Sequence, residues 1–245
     1  MGAAVSALHG QVAVVTGASS GIGAAIAHAL AAQGARLWLV GRRLAALESV
    51  AQSMHGPQCH RCAVADLAVD ADVKALASTL LQDDAPIDIL VHAAGVFEWG
   101  ALESASAGDL DAQYRTNVRA PFVLTHALLP ALKSRQGQVA FVNSSAGLSA
   151  RANVGHYAAT KHALKALADS LREEVNPAGV RVLCVFPGRT ASAMQAQVHA
   201  AEARVYRPEL LMQPQDVAAV TVHALTLPRR AEVTDIMIRP QLKTT

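Results

Sequence analysis

Val12-Ala13-Val14-Val15-Thr16-Gly17-Ala18-Ser19-Ser20-Gly21-Ile22-Gly23 is an apolar run that breaks into glycines and leads into the alanine-rich stretch 24–32. Four consecutive apolar residues, three of them valine, suit a strand buried on both faces, as in a parallel sheet. Glycines at 17, 21 and 23 open a tight turn, let backbone approach a bound group, and allow the next helix to pack close on the strand. A helix beginning there offers free N–H groups and the positive end of its dipole, which together suit a pyrophosphate. The spacing is G-x-x-x-G-x-G, and its place between a first strand and a first helix makes it specific.

The same alternation repeats along the chain. Apolar β-rich runs at 11–16, 36–40, 60–65, 87–92, 138–143, 180–186 and 233–238 are separated by helical patterns at 22–33, 44–54, 70–82, 108–134, 156–176 and 214–226. This order predicts an α/β fold: a doubly wound, Rossmann-like parallel sheet of seven strands, with right-handed crossovers and helices on both faces. With no linker, repeat or change of composition, one domain is expected over 1–245. Residues 188–214 interrupt the alternation beyond the carboxyl end of a strand, where open sheets bind ligands. They are expected to form a flap over a substrate, a surface loop being the alternative. Pro121 lies inside the pattern 108–134; it has no N–H to bond the Asn117 carbonyl, which predicts a helix break near Asn117.

Composition excludes several classes. With 52% hydrophobic residues the chain of 245 can bury a full core, which excludes disorder. A net charge of +2, with no basic block longer than Arg42-Arg43, does not suggest a nucleic-acid or anionic-membrane partner. Residues 1–35 contain no Asp, Glu, Lys or Arg, but His9-Gly10-Gln11 and the polar stretch 16–21 break them. No run approaches the ~20 apolar residues of a spanning helix, and the first residues lack the positive n-region of a signal peptide. Met1-Gly2-Ala3-Ala4-Val5-Ser6 matches a loose N-myristoylation pattern that recurs by accident. A soluble, cytoplasmic protein is expected. Three cysteines cannot build a disulfide framework, and the C-x-x-C of Cys59 and Cys62 lacks a second ligand pair, so no metal is expected.

Two further stretches carry chemistry. After the second strand comes Leu39-Val40-Gly41-Arg42-Arg43, where a carboxylate would bind the ribose hydroxyls of NAD. Gly41 leaves room instead, and the Arg42 guanidinium suits a 2′-phosphate, favouring NADP(H) over NAD(H). A solvated arginine pair is the alternative, and it fits Arg43 better. Tyr157-Ala158-Ala159-Thr160-Lys161 puts a phenol and an ammonium one turn apart on a helix. A cation beside a phenol stabilises the phenolate, and hydride transfer to or from an alcohol carbon needs such a proton-transfer group.

Together with Ser144, thirteen residues before Tyr157, and Phe186-Pro187-Gly188, these motifs make the chain similar to the short-chain dehydrogenases/reductases from residue 11 to about residue 240. The resemblance implies Tyr157 as proton donor or acceptor. Lys161 would lower its pKa and hold the nicotinamide ribose, and Ser144 would hydrogen-bond the substrate carbonyl. Asn117 would hold a proton-relay water. For the cofactor it implies Gly17, Ser19, Ser20, Gly21, Ile22 and Gly23 at the phosphates, Asp66 and Leu67 at the adenine, and Ala94, Gly95, Pro187, Gly188 and Ser192 along the dinucleotide. Ser192 stands where the family usually has threonine. A larger departure is His92-Ala93-Ala94-Gly95, where the family has Asn-Asn-Ala-Gly; His92, His156 and His162 read as packing residues.

The activity implied is NADP(H)-dependent interconversion of a ketone or aldehyde and its alcohol. The alternatives are an NAD-preferring alcohol dehydrogenase, or a non-catalytic nucleotide-binding regulator, which would usually have lost the Tyr, Lys or Ser. Phe97, Trp99, residues 146–150, Met194, Val205 and Tyr206 are expected to line an apolar substrate pocket. Leu124, Leu128, Ala163, Leu164 and Leu167 read as an exposed face of the long helices, which pair between subunits in the family. A homodimer or homotetramer is therefore expected.

Overall fold

The computed structural model describes residues 6–54, 59–83 and 86–242; the myristoylation pattern at Gly2 lies outside them. Its seven strands are β1 Val12–Thr16, β2 Arg36–Gly41, β3 Arg61–Val64, β4 Ile89–His92, β5 Gln138–Val142, β6 Arg181–Pro187 and β7 Asp235–Ile238. All neighbours pair in parallel, in the order β3-β2-β1-β4-β5-β6-β7. β3, β4 and β7 are shorter than their apolar runs. The order reverses direction between β1 and β4, so the crevice beyond their carboxyl ends is the expected ligand position.

Alternate residues of the central strands enter two separate cores. In β1, Ala13 and Val15 pack with α1 (Gly21–Ala32), Leu47 of α2 (Leu44–Gln52) and α8 (Pro214–Thr226). Val12 and Val14 pack on the other face with α3 (Asp70–Leu81), α5 (Ala120–Ser134) and α6 (Gly155–Val175). Burial of both faces explains why the strands read as unbroken apolar runs.

The expected helix 108–134 is three pieces. α4 (Ala107–Tyr114) passes into a π-helical turn, Arg115–Arg119, and then into α5. The Ala120 N–H donates to the Arg115 carbonyl five residues back, a widened turn located just before the donorless Pro121. Asn117 sits in the middle of that turn.

One expectation is corrected. Leu124, Leu128 and Leu164 are at most 2% exposed and fill the core between helices and sheet, so they form no free face. Ala163 and Leu167 are half-buried. The large apolar groups that α4 and α5 do expose are Leu110, Tyr114 and Phe122.

Residues 190–212 form a closed excursion. Its ends are zipped by a Thr190–Met212 bridge, with Ala191 N–H donating to Met212 O (2.8 Å) and Met212 N–H to Arg189 O (3.3 Å). Between them lie α7 (Ala193–Ala201) and a short turn, Pro208–Leu210.

Beyond β5, the buried Asn143 side chain joins two segments. Its Oδ1 accepts the Ser144 N–H (2.9 Å) and its Nδ2 donates to Lys161 O on α6 (3.0 Å). The following turn, Ser145–Gly147, lies against this bridge. A Cβ on Gly147 would meet Asn143 Oδ1 at 2.5 Å and Lys161 O at 2.9 Å. Gly147→Ala is therefore expected to lower stability by about 1–3 kcal/mol through overpacking, read as a fall in denaturant midpoint at constant m-value. An unchanged midpoint would contradict this packing.

Candidate active site

A cleft of about 920 Å³ opens at the carboxyl ends of the strands. At one end lie Gly17, Ser19, Ser20, Gly21, Ile22 and Gly23 with Gly41, Arg42, Asp66 and Leu67. Gly17 has φ +67°, and a Cβ there would lie 2.7 Å from Ala94 Cα, so no other residue fits this approach of β1 to β4. The Thr16 hydroxyl reinforces it by accepting the N–H groups of Ala93 (3.1 Å) and Ala94 (3.2 Å). At the head of α1 the Ser20 side chain makes no cap and the first turn carries no acid. Its leading N–H groups thus face the cleft available to an anion.

Arg42 lines this end, while Arg43 does not. Asp66 also lines it, with one carboxylate oxygen accepting the Ala68 N–H (3.0 Å). Ala94, Gly95, Pro187, Gly188 and Ser192 border the middle. The Ser192 hydroxyl accepts Gln195 N–H (3.1 Å), capping α7, and the Ser192 N–H donates to the Tyr206 hydroxyl (3.1 Å).

The far end brings together Ser144, Tyr157 and Lys161. Helical geometry places Lys161 beside Tyr157, its Nζ 5.8 Å from the ring centroid and donating to Val142 O (3.2 Å). The Ser144 hydroxyl stands on the phenol side of the cleft, where it favours the phenolate, and accepts the Ala146 N–H (3.1 Å). Phe97 meets the Tyr157 ring edge-on at 4.9 Å, and Trp99 lies 6.4 Å beyond.

Burial dominates both titrating groups. It pushes the phenol up to about 12, against a smaller lowering by the Ser144 hydrogen bond. It lowers Lys161 to about 8. Lys161 does not produce the expected lowering of the Tyr157 pKa here: burial prevails, and at neutral pH the phenol keeps its proton.

Other expected residues stand differently. Asn117 does not line the cleft: it is 1% exposed. Its Oδ1 accepts Val96 N–H (2.9 Å), and its Nδ2 reaches Val96 O (2.9 Å) and the Thr160 hydroxyl (3.1 Å). It ties the loop after β4 to the residue before Lys161. Met194 and Ala146 line the cleft, but Val205 is 75% exposed and Tyr206 packs behind Ser192. His92 is buried, held at 2.8 Å by Thr125 and stacked on Phe141. Burial lowers it to about 3, so it is a neutral packing group. Sequence reasoning passed over Thr16 and Asn143, whose one signal is a polar residue at the end of a buried apolar run.

Lys161 makes a signed prediction. Its folded pKa lies below its ordinary 10.5, so between about pH 8 and 10.5 the unfolded chain binds more protons. Wild-type stability should therefore rise with pH across that window, and the cost of the buried charge is full below it. Relative to Lys161→Met, wild type should gain up to roughly 3 kcal/mol from pH 8 to 10.5. A pH-independent difference in denaturation would refute the buried ammonium.

Comparison with known proteins agrees with this geometry. A family model described as short chain dehydrogenase matches residues 11–203. A glycine betaine reductase of Emericella nidulans is 34% identical over 96% of this chain, which spans only 19% of that protein. An uncharacterized oxidoreductase of Staphylococcus epidermidis is 32% identical, covering 94% of this chain and 97% of its own. A metagenomic short-chain oxidoreductase solved in complex with NADP has a TM-score of 0.83 and 32% identity, over 97% of this chain and all of that one. The chain belongs to the short-chain dehydrogenase/reductase family, as an oxidoreductase fold with its cleft at the sheet's topological reversal.

Proposed function

We propose that this protein is an NADP(H)-dependent oxidoreductase that interconverts a ketone or aldehyde and its alcohol, with Tyr157 as the acid/base. The observation that carries the reading is the meeting of Ser144, Tyr157 and Lys161 in the same cleft as the glycine turn. The cradle fits a dinucleotide. Gly17 leaves no room for a side chain, the head of α1 has uncapped N–H groups, and Arg42 stands beside Gly41 and Ser19. The NADP in the metagenomic relative supports the same choice. When bound, NADPH supplies the hydride to the carbonyl carbon.

The chain's own residues do the rest. Ser144 donates a hydrogen bond to the substrate oxygen, polarising the carbonyl before transfer. Tyr157, protonated at neutral pH, gives its proton to that oxygen as negative charge develops. Lys161 keeps its positive charge next to the phenol, stabilising the phenolate left behind, and with Tyr157 holds the nicotinamide ribose. Phe97 and Trp99 keep water off the reacting face. Asn117 positions Thr160, and through it the turn that carries Lys161. Its backbone carbonyl, denied a Pro121 N–H, holds a water that relays a proton between Lys161 and solvent. Residues 188–214 act as the flap over the substrate. We also propose a homo-oligomer, through the exposed Leu110, Tyr114 and Phe122 face.

Arg42→Asp tests the cofactor assignment. Loss of a charge-assisted phosphate contact, with repulsion added, should weaken NADPH binding by roughly 2–4 kcal/mol. NADH affinity should change little. Fluorescence titration with both nucleotides reads this directly, and equal NADPH affinity in the two proteins would place the phosphate elsewhere.

A further inference from the structure

The charge lining the cleft is uneven. Among the described residues two carboxylates border it, Asp66 at the adenine end and Glu202 near the flap. Glu202 is already engaged: both oxygens lie 2.7 Å from Arg189 Nη2, and one is 3.6 Å from Arg204 Nη1. Against this acid the same cleft carries Arg151, Arg189, Arg204 and Arg239, the last packed on Gly188. The opposite Nη of Arg189 is buried without a hydrogen-bond partner among the described residues. Arg189 is thus paired with Glu202 through one nitrogen and keeps an unused donor on the other, in a wall with excess positive charge that suits an anion.

Arg151 stands closest in the chain to the reacting groups. It lies on the loop that runs from the Ser144 turn into α6, six residues before Tyr157. That loop is fastened to the aromatic segment, since Gly100 N–H donates to Asn153 O at 3.0 Å. Arg151 is exposed and, among the described residues, has no ion pair or hydrogen bond. Its charge serves no fold contact, and a positive group at the mouth of a cleft focuses the field on what enters. Phe97 and Trp99 supply the apolar surface alongside.

The cofactor phosphates do not account for Arg151. In the reading above they sit at the glycine turn and Arg42, whereas Arg151 comes from the segment between Ser144 and Tyr157.

We propose that the substrate is an anionic carbonyl compound, a ketone or aldehyde bearing a carboxylate or phosphate, whose anion pairs with Arg151 and whose apolar body lies on Phe97 and Trp99. The inference rests on the oxidoreductase reading and narrows it to a substrate class.

Matched pairs test it. With NADPH, phenylpyruvate and benzoylpropionate are compared with their methyl esters, and dihydroxyacetone phosphate with dihydroxyacetone. The expected kcat/KM is at least tenfold higher for the anion, carried by KM, and the advantage shrinks as salt rises. Whichever anionic series shows the larger advantage identifies carboxylate or phosphate. R151Q should lower the anion-to-neutral ratio at least tenfold. In an assay independent of turnover, calorimetric titration of the keto acids into enzyme with NADP⁺ should show binding weakened at least tenfold by R151Q. Equal kcat/KM for anions and neutral partners overturns the proposal and leaves the oxidoreductase reading standing. Failure to reduce any carbonyl overturns that reading; calorimetric binding of the anions, lost in R151Q, would still support the anion site, and its absence would overturn it.

Discussion

A single buried amide sets the geometry on which this site depends. Asn143 takes the Ser144 N–H on one side and gives a hydrogen bond to the Lys161 carbonyl on the other. The strand end that presents the hydroxyl is thereby locked to the helix that presents the phenol and the ammonium. Buried amide contacts hold because breaking one leaves polar groups without water to replace the partner. Gly147 completes the joint, since only a residue without Cβ lets the turn lie this close. Asn117 makes a second clamp from the opposite side, binding the loop after β4 to Thr160. Helix α6 is thus fastened at Thr160 and at Lys161, as the proton transfer proposed for this helix would require.

The site holds its charge at a cost. Lys161 is almost fully buried and its ammonium is destabilised, while burial pushes the phenol well above neutrality. Neither residue is where fold stability alone would put it. Such opposed demands are common where catalysis, not packing, decides a residue's place. In the proposed mechanism, a phenol that stays protonated at neutral pH has a proton to give to a carbonyl oxygen.

Much of this was legible in the residues because parallel strands buried on both faces read as unbroken apolar runs. Val12 to Val15 and the glycines after them announced the first strand, the turn and the helix, and Pro121 announced the break that became a π-turn. The errors have physical causes. Leu124, Leu128 and Leu164 looked surplus because helical apolar stripes do not reveal how much of the sheet each must cover; here they fill the second core. Val205 looked like a pocket residue because a chain excursion does not disclose which side faces inward. Asn143 and Thr16 act through backbone groups far along the chain, a tertiary relation that no local spacing carries.

The central claim is that the cleft performs chemistry and does not merely hold a nucleotide. The most direct test follows the absorbance of reduced nicotinamide while wild type and Tyr157→Phe meet a carbonyl substrate with saturating NADPH. The account predicts steady turnover by wild type and a loss of about 10²–10⁴ in kcat for the variant, with NADPH affinity retained. Tight NADPH binding with no turnover by wild type, or equal turnover by the two proteins, would contradict it.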